Sequence, residues 1–186
     1  MLMTPSLKTH FAGLELRNPI IIGSSGRTSK ANYNKRLDDA GAGAIVLKSL
    51  FEENIIRYTS HLSNTSLTTA PSAHSEEADY LQGYLRNKAL QEYLDLIRES
   101  KRLCAIPIIV SINCFSLGEW IEFAGEVEKA GADAIELNIM SIRTGIEYHH
   151  GEFERQHIEI LSAVNERTRV PIIVKMGANI TNPTAL

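Results

Sequence analysis

Five short apolar runs alternate with longer amphipathic stretches along this chain. The runs occupy residues 18–26, 44–48, 107–113, 134–139 and 171–176. Segments that are apolar at nearly every position are typical of parallel strands buried on both faces of a sheet. The pattern therefore predicts an α/β fold in which helices cover a parallel sheet.

The first two stretches between the runs predict helices with polar caps. Ser29 is the expected cap of a helix that ends near Ala40, and Asn87 that of a helix that ends near Lys101. Apolar residues recur in the second helix at intervals of three and four, which predicts one buried stripe. This stripe consists of Leu90, Tyr93, Leu94 and Ile97.

Two further helices are expected later in the chain. Ser116 and Glu119 predict a capping box, followed by a helix that ends at Gly131, and residues 153–166 predict the last helix. Residues 40–49 and 130–139 repeat one layout, in which a helix stops at a glycine and a strand follows after a few small residues.

The alternation of strands and helices is typical of a (β/α)8 barrel of the TIM type. A closed barrel needs eight βα units and about 250 residues, and this chain supplies about five of them. A polar or small residue stands at or next to the end of every apolar run, as expected at the carboxyl rim of a barrel. We predict an incomplete barrel; the alternative is an open, doubly wound sheet of five strands.

Composition and charge limit the classes of function. The chain has 186 residues, 44% hydrophobic and 22% charged, with a formal net charge of -3, which predicts a single globular domain over residues 1–186. A negative charge without a Lys/Arg cluster argues against binding to nucleic acid or membranes. No apolar stretch approaches the roughly 20 residues of a membrane helix, and the polar start is unlike a signal peptide, so we expect a cytoplasmic protein.

The cysteines and histidines predict neither a disulfide nor a metal site. Cys104 and Cys114 flank one predicted strand and are expected to be reduced thiols. The adjacent His149 and His150 fall in a predicted loop without a third ligand in a recognisable pattern.

Residues 50–86 form a long segment rich in Ser and Thr. Few apolar residues recur in it, and Pro71 interrupts it. Loops of this length are usually functional, so we expect an insertion that lies over the C-terminal face of the sheet.

Two lysines at strand ends are the strongest chemical signal. Lys48 and Lys175 each follow an apolar run, where an unpaired buried ammonium would cost several kcal/mol. An ion pair with Glu136 would satisfy either one, whereas a bound anionic or electron-rich ligand would satisfy both. The other polar side chains at these ends are Ser111, Asn113 and Asn138.

The ordered set of strand-end motifs resembles the N-terminal part of the dihydroorotate dehydrogenases. The set comprises residues 18–26, Lys48-Ser49, Ser111-Ile112-Asn113, residues 136–141 and Val174-Lys175. The resemblance implies an FMN-dependent barrel that oxidises dihydroorotate, or a similar dihydropyrimidine, to orotate in pyrimidine biosynthesis. It also implies a small-molecule substrate and a homo-oligomer, expected to be a dimer.

The resemblance further implies which residues would hold the flavin. The backbone of residues 23–25 would lie against the isoalloxazine ring, where small side chains allow close approach. Lys175 would touch the pyrimidine edge of the ring and stabilise the anion of the reduced flavin. The implied cofactor-binding residues are Gly23, Ser24, Ser25, Lys48, Ser49, Ser111, Asn138 and Lys175.

The implied catalytic residues are Ser141 and Lys48. Ser141 stands where the family keeps its base, which removes a proton from substrate C5 while hydride leaves C6 for flavin N5. A serine is a weak base and would need a relay through water or a neighbouring group. Ile142-Arg143 replaces the family's usual Pro-Asn, and Arg143 could clamp a carboxylate. The implied substrate-binding residues are Asn87, Asn138 and Arg143.

Two other functions are compatible with the same residues. One is a Schiff-base aldolase in which a desolvated Lys175 or Lys48 attacks a carbonyl. The other is an inactive relative or fragment that acts as an interaction module, in which a partner or a second copy covers the open strand edge.

Overall fold

The described chain consists of an N-terminal hairpin followed by alternating strands and helices. The computed structural model describes residues 6–51, 75–113, 120–139 and 151–177. The strands are β1 (Thr9–Phe11), β2 (Leu14–Leu16), β3 (Ile21–Ile22), β4 (Ala44–Val46), β5 (Leu50–Phe51), β6 (Ile108–Asn113), β7 (Ala134–Asn138) and β8 (Ile172–Lys175). The helices are α1 (Ala31–Asp39), α2 (Ser75–Leu103), α3 (Trp120–Lys129) and α4 (Glu152–Asn165), and a 3-10 turn covers Gly26–Thr28.

The main sheet is parallel, and its strands follow the order of the chain. They lie in the order β3-β4-β6-β7-β8, with β5 pairing beside β6 beyond the end of β4. A doubly wound sheet reverses its strand order at a switch point, and this sheet does not. The doubly wound alternative is therefore wrong, and the sheet is the curled wall of an incomplete barrel.

The outer face of the sheet forms the larger core with the helices. Ile45, Ile108 and Ile135 point outward and have no exposed surface. Each fully buried side chain of this size contributes about 1.5–3 kcal/mol relative to an exposed one. On the facing side of α2, Tyr93, Leu94 and Ile97 are buried, which confirms most of the predicted stripe.

The inner face begins with a small apolar layer near the amino ends of the strands. Leu16 from β2 lies on this layer and is 1% exposed. The hairpin turns through Ala12 and Gly13, which both have positive φ. The apolar runs did not predict this hairpin. Its signal in the sequence is an alternation of polar and aromatic residues that ends in Gly13. The residues that Leu16 covers are Ala44, Val46, Ile109 and Ala134.

The repeated helix-to-strand layout is confirmed. Gly41 and Gly131 follow α1 and α3, and both have a φ of 99°, a conformation that glycine adopts most readily. Two residues later, the Gly43 amide donates to the Ile20 carbonyl at 2.7 Å. The Asp133 amide makes the corresponding bond in the second copy, at 2.9 Å.

Carboxylates near the amino ends of the strands bond to backbone amides of later segments. The pairs are Asp38 with Ala105 at 2.9 Å, Asp133 with Ile108 at 2.7 Å, and Glu128 with Arg169 at 2.8 Å. Such bonds satisfy amides at the entrance to β6 and before β8. They join successive units at the end of the wall opposite the strand tips.

Two predicted helix starts are wrong. The cap residue of α1 is Lys30, whose side chain makes no capping bond, and not the expected Ser29. The Ser29 hydroxyl donates instead to the Gly26 carbonyl in the 3-10 turn. The second helix begins at Ser75, so Asn87 is interior to it.

Other expectations lie in part or in full outside the described residues. Of the insertion expected at residues 50–86, Leu50–Phe51 is strand β5 and residues 75–86 belong to α2, so a loop is wrong for both ends, and residues 52–74 lie outside the described part. The capping box of Ser116 and Glu119 lies outside it as well. Of the cysteines, Cys104 is a free, buried thiol, and Cys114 lies outside the described part. Within the described chain, every helix is too short or too polar to serve as a bilayer span.

Candidate functional site

Polar side chains occupy the inner face of the sheet above the apolar layer. Because alternate residues share a face, Ser111 and Asn113 follow Ile109 on the inner face of β6, and Glu136 and Asn138 follow Ala134 on β7. Ser111 pairs with Glu136, and Asn138 pairs with Lys175. This arrangement confirms that strand ends supply a polar rim, where barrels of this class place their sites.

Hydrogen bonds connect this rim across four strand ends. Ser24 Oγ and Ser49 Oγ are 2.9 Å apart, and the Ser49 amide donates to Ser24 Oγ at 2.8 Å. Ser49 Oγ lies 2.7 Å from Ser111 Oγ. Ser111 Oγ donates to Glu136 Oε1 at 2.9 Å. We call Ser24, Ser49, Ser111 and Glu136 the serine row.

A one-residue bulge brings Ser49 into the serine row. Val46 pairs with Ile109 and Leu50 with Ile112, so residues 47–49 lie opposite only residues 110–111. The additional residue shifts the alternation of side chains, and Ser49 faces Ser111 on the inner side. Without this shift, Lys48 would occupy the inner position.

Lys48 instead lines a cavity on the α2 side of the rim. This cavity has a volume of about 300 Å³. Its lining residues are Ser29, Lys48, Ser49, Leu50, Ala89, Glu92, Tyr93 and Leu96. Lys48 is exposed, and no carboxylate of the described residues lies within 4.0 Å of its ammonium group.

Lys175 lies near Glu136 without a short contact. Its Nζ is 3.9 Å from Glu136 Oε1, and its side chain is 51% exposed, whereas that of Glu136 is 14% exposed. The ion pair considered from the sequence is therefore present, but it is long. The expected burial of both lysines is wrong: β8 is an edge strand, and the bulge moves Lys48 outward.

Two buried amides at the rim have unused acceptors. Asn113 and Asn138 are buried, and their Oδ1 atoms have no hydrogen-bond partner among the described residues. Leaving such an acceptor unpaired costs about 1–3 kcal/mol. Gly23 lies at the same rim, and a Cβ built on it would meet no atom within 4 Å. A flat heterocycle such as a flavin would have to lie across this rim, from the open space at Gly23 to the amides and the Lys175 ammonium, which stand on strands beyond β4.

Tyr93 supports the rim from the α2 side. Its hydroxyl donates to the Ser111 carbonyl at 3.1 Å. Burial raises the pKa of Tyr93 far above its usual value, the Glu136 charge raises it further, and the bond to Ser111 opposes the shift. Tyr93 therefore stays neutral and keeps donating. From the sequence, Tyr93 was predicted only as part of the buried stripe. Its hydroxyl among aliphatic neighbours was a signal that it would need a hydrogen-bond acceptor.

The remaining predicted site residues are placed less favourably or lie outside the described part. Asn87 is exposed and lies roughly on the opposite side of α2 from Ala89, at about 100° per residue. Ser25 caps the 3-10 turn, its Oγ accepting from the Arg27 amide at 3.3 Å. Ser141 and Arg143 are not among the described residues.

A solved structure has a similar fold. A candidate dihydrodipicolinate synthetase from Pseudomonas aeruginosa matches with a TM-score of 0.50 at 16% identity, over 86% of this chain and 46% of that one. This match and the parallel, curled sheet confirm the predicted incomplete barrel of the TIM type. At this identity the likeness concerns the fold alone.

Sequence relatives identify the family. A catalytic subunit of dihydroorotate dehydrogenase B (NAD(+)) from Geotalea uraniireducens is 29% identical over 96% of this chain and 56% of its own. The chloroplastic dihydropyrimidine dehydrogenase (NADP(+)) of Arabidopsis thaliana is 26% identical over 97% of this chain and 44% of its own. The chain thus spans about half the length of these curated relatives. The family profile described as dihydroorotate dehydrogenase matches residues 6–185, and the chain belongs to that family.

Proposed function

We propose that this protein is, or forms part of, an FMN-dependent oxidoreductase that acts on dihydroorotate or a similar dihydropyrimidine. The observation that carries the proposal is the polar rim itself. Unpaired amide oxygens of Asn113 and Asn138 and the Lys175 ammonium lie at the adjoining ends of β6, β7 and β8, and the open space at Gly23 lies at the end of β3, farther along the same rim. Family membership supports the reaction class. Pyrimidine biosynthesis, a cytoplasmic location and a homodimer belong to the same proposal.

The residues of the rim suit the parts of a flavin ring. One of Asn113 and Asn138 would accept a hydrogen bond from the single N–H of the oxidised ring, and Gly23 leaves room for the ring plane. Lys175 would supply positive charge at one edge. When bound, FMN supplies the acceptor for a hydride from the substrate. The roles proposed for Lys48, Asn87, Ser141 and Arg143 in catalysis or substrate binding remain predictions.

Flavin binding and substrate oxidation by the full chain test this proposal. Titration of the protein with FMN should give saturable binding, measured as quenching of the flavin fluorescence. Anaerobic addition of dihydroorotate should then bleach the flavin absorbance. Lack of flavin binding at saturating FMN would contradict the proposal.

Lys175 offers a matched comparison. Lys175→Met should weaken FMN binding by about two- to fivefold, as expected for a half-exposed charge that contributes up to about 1 kcal/mol. Lys8→Met, on the hairpin, removes a cation that is more exposed than Lys175, since the Lys8 side chain is 70% exposed. It should leave FMN affinity unchanged.

A further inference from the structure

The serine row has one possible direction of proton donation. A carboxylate has no proton to donate, so Ser111 must donate to Glu136. The Ser111 oxygen can then only accept from Ser49, whose proton is committed to that bond. Ser49 must therefore accept from Ser24. Every hydroxyl proton in the row points toward Glu136.

This direction determines what the row offers at its other end. Ser24 spends its only proton on Ser49, and it also accepts from the Ser49 amide. One lone pair of Ser24 Oγ remains free, since a hydroxyl oxygen accepts two hydrogen bonds. Ser24 is only partly buried, whereas Ser49 and Ser111 are buried. A ligand at the rim therefore meets Ser24 as an acceptor.

We propose that Glu136 is a positioning residue that fixes the direction of the serine row, so that Ser24 selects an N–H or O–H donor of the bound ligand. Glu136 acts through Ser111 and Ser49 and need not touch the ligand. Chains of hydrogen bonds polarise one another, which strengthens each bond toward the charged end. Only the identity of the ligand, taken as FMN, rests on the proposed function.

Replacing Ser111 or Glu136 should remove the imposed direction. In Ser111→Ala, the Ser49 hydroxyl loses its acceptor and can turn to donate to Ser24 Oγ. It then competes there with the Ser49 amide. In Glu136→Gln, the side-chain amide can either donate or accept, so neither direction is enforced.

The backbone amide of Ser49 reports these changes without any flavin. In the full chain labelled with 15N, the Ser49 amide proton should move upfield in Ser111→Ala and in Glu136→Gln, because its bond to Ser24 weakens. The double variant should match Ser111→Ala alone, since Glu136 acts through Ser111. Ser111→Thr keeps the hydroxyl and should restore the wild-type position.

Glu15→Gln is the matched control. Glu15 lies on the hairpin with a side chain that is 64% exposed. Its replacement should leave the Ser49 resonance unchanged. An unchanged Ser49 resonance in Glu136→Gln, or additive shifts in the double variant, would overturn the inference.

FMN affinity separates this inference from the proposed function. Ser111→Ala and Glu136→Gln should each weaken FMN binding by about two- to tenfold, the net effect of one hydrogen bond. If the wild type binds no FMN while Ser49 responds as expected, the row stands and the proposed function falls. If FMN binds but Ser49 does not respond, the role of Glu136 is refuted.

Discussion

At the scale of single residues, polar side chains in this protein join helices to strands by directional hydrogen bonds. Hydrophobic contacts alone are not directional and would not fix these relative positions. Tyr93 joins helix α2 to the backbone of β6 through its hydroxyl. Glu128 joins helix α3 to the segment before β8 through Thr168 and the Arg169 amide. Both residues tie a helix to a strand, or to the segment before one, through a side-chain hydrogen bond.

Tyr93→Phe should lower the free energy of unfolding by about 1 kcal/mol. The substitution keeps the ring and removes a buried bond to the Ser111 carbonyl. Urea denaturation followed by circular dichroism measures the change. Tyr84→Phe, at a position that is 58% exposed on the same helix, serves as control and should have little effect. Equal stability of Tyr93→Phe and wild type would contradict this role.

Glu128 should make stability depend on pH in the acid range. The bond from the Arg169 amide, and secondarily that from Thr168, lower the pKa of Glu128 below its ordinary value of 4.5. A lowered folded-state pKa gives stabilisation that is complete above about pH 4.5 and is lost as the pH falls through the folded value.

Comparison of Glu128→Gln with wild type measures this dependence. The variant should be less stable at neutral pH, and the difference should shrink as the pH falls below 4.5 and through the lowered folded-state pKa of Glu128. Glu126→Gln, on the same helix, removes only a contact with Lys129 three residues later and is the control. A difference that does not vary with pH would refute the assignment.

At the scale of elements, the sequence specifies the strands and the glycine stops more clearly than the helix starts. The five apolar runs each contain a strand of the main sheet, because side chains buried on both faces leave a continuous signal. Gly41 and Gly131 end their helices as predicted. Ser29 and Asn87 are residue types that often cap helices, but neither does so here. Ser29 belongs to the end of the 3-10 turn, and Asn87 lies inside a helix that begins at Ser75.

The candidate site could be predicted only in part for a related reason. Which residues stand at strand ends follows from the apolar runs, so Ser111, Asn138 and Lys175 were correctly placed at the rim. Which way they face depends on register. The bulge before Ser49 becomes visible only when β4 and β5 are paired with β6, and sequence periodicity alone does not reveal it.

Gly43→Ala should destabilise the first copy of the repeat. A Cβ at this position would lie 2.2 Å from the Asn18 carbonyl oxygen. Backbone must shift to relieve such overlap, and overpacking of this kind typically costs about 1–3 kcal/mol. Gly26→Ala is the control, because its added Cβ meets nothing within 4 Å. Thermal unfolding of both variants decides the matter, and equal melting temperatures would contradict the steric account.

At the scale of the whole molecule, the inner face of the sheet has two parts. One is the apolar layer around Leu16, here called the floor, and the other is the polar rim. The hairpin covers the floor at the amino ends of the strands, and the serine row crosses the opposite end. Separating the two keeps stabilising contacts away from the groups that would meet a ligand. Substitutions at the floor should therefore change stability rather than the donor and acceptor pattern of the rim.

Leu16→Ala tests the contribution of the floor. Leu16 is 1% exposed, so truncation should cost about 2–5 kcal/mol. Leu7→Ala, at a residue that is 66% exposed, is the control and should change stability little. Chemical denaturation of both variants provides the measurement. A loss below 1 kcal/mol in Leu16→Ala would show that the hairpin is not part of the cooperative fold.

Because of the bulge at residues 47–49, the effect of losing one residue depends on which residue is lost. Removing Leu47 or Lys48 would let β4 run unbroken into β5 and would leave Ser49 opposite Ser111 on the inner face. Removing Ser49 would instead place Lys48 opposite Ser111, so that an ammonium group would replace the hydroxyl. Two homologous chains with the same number of residues between the paired strand positions would then differ in chemistry, and only the identity of the residue opposite Ser111 would tell them apart.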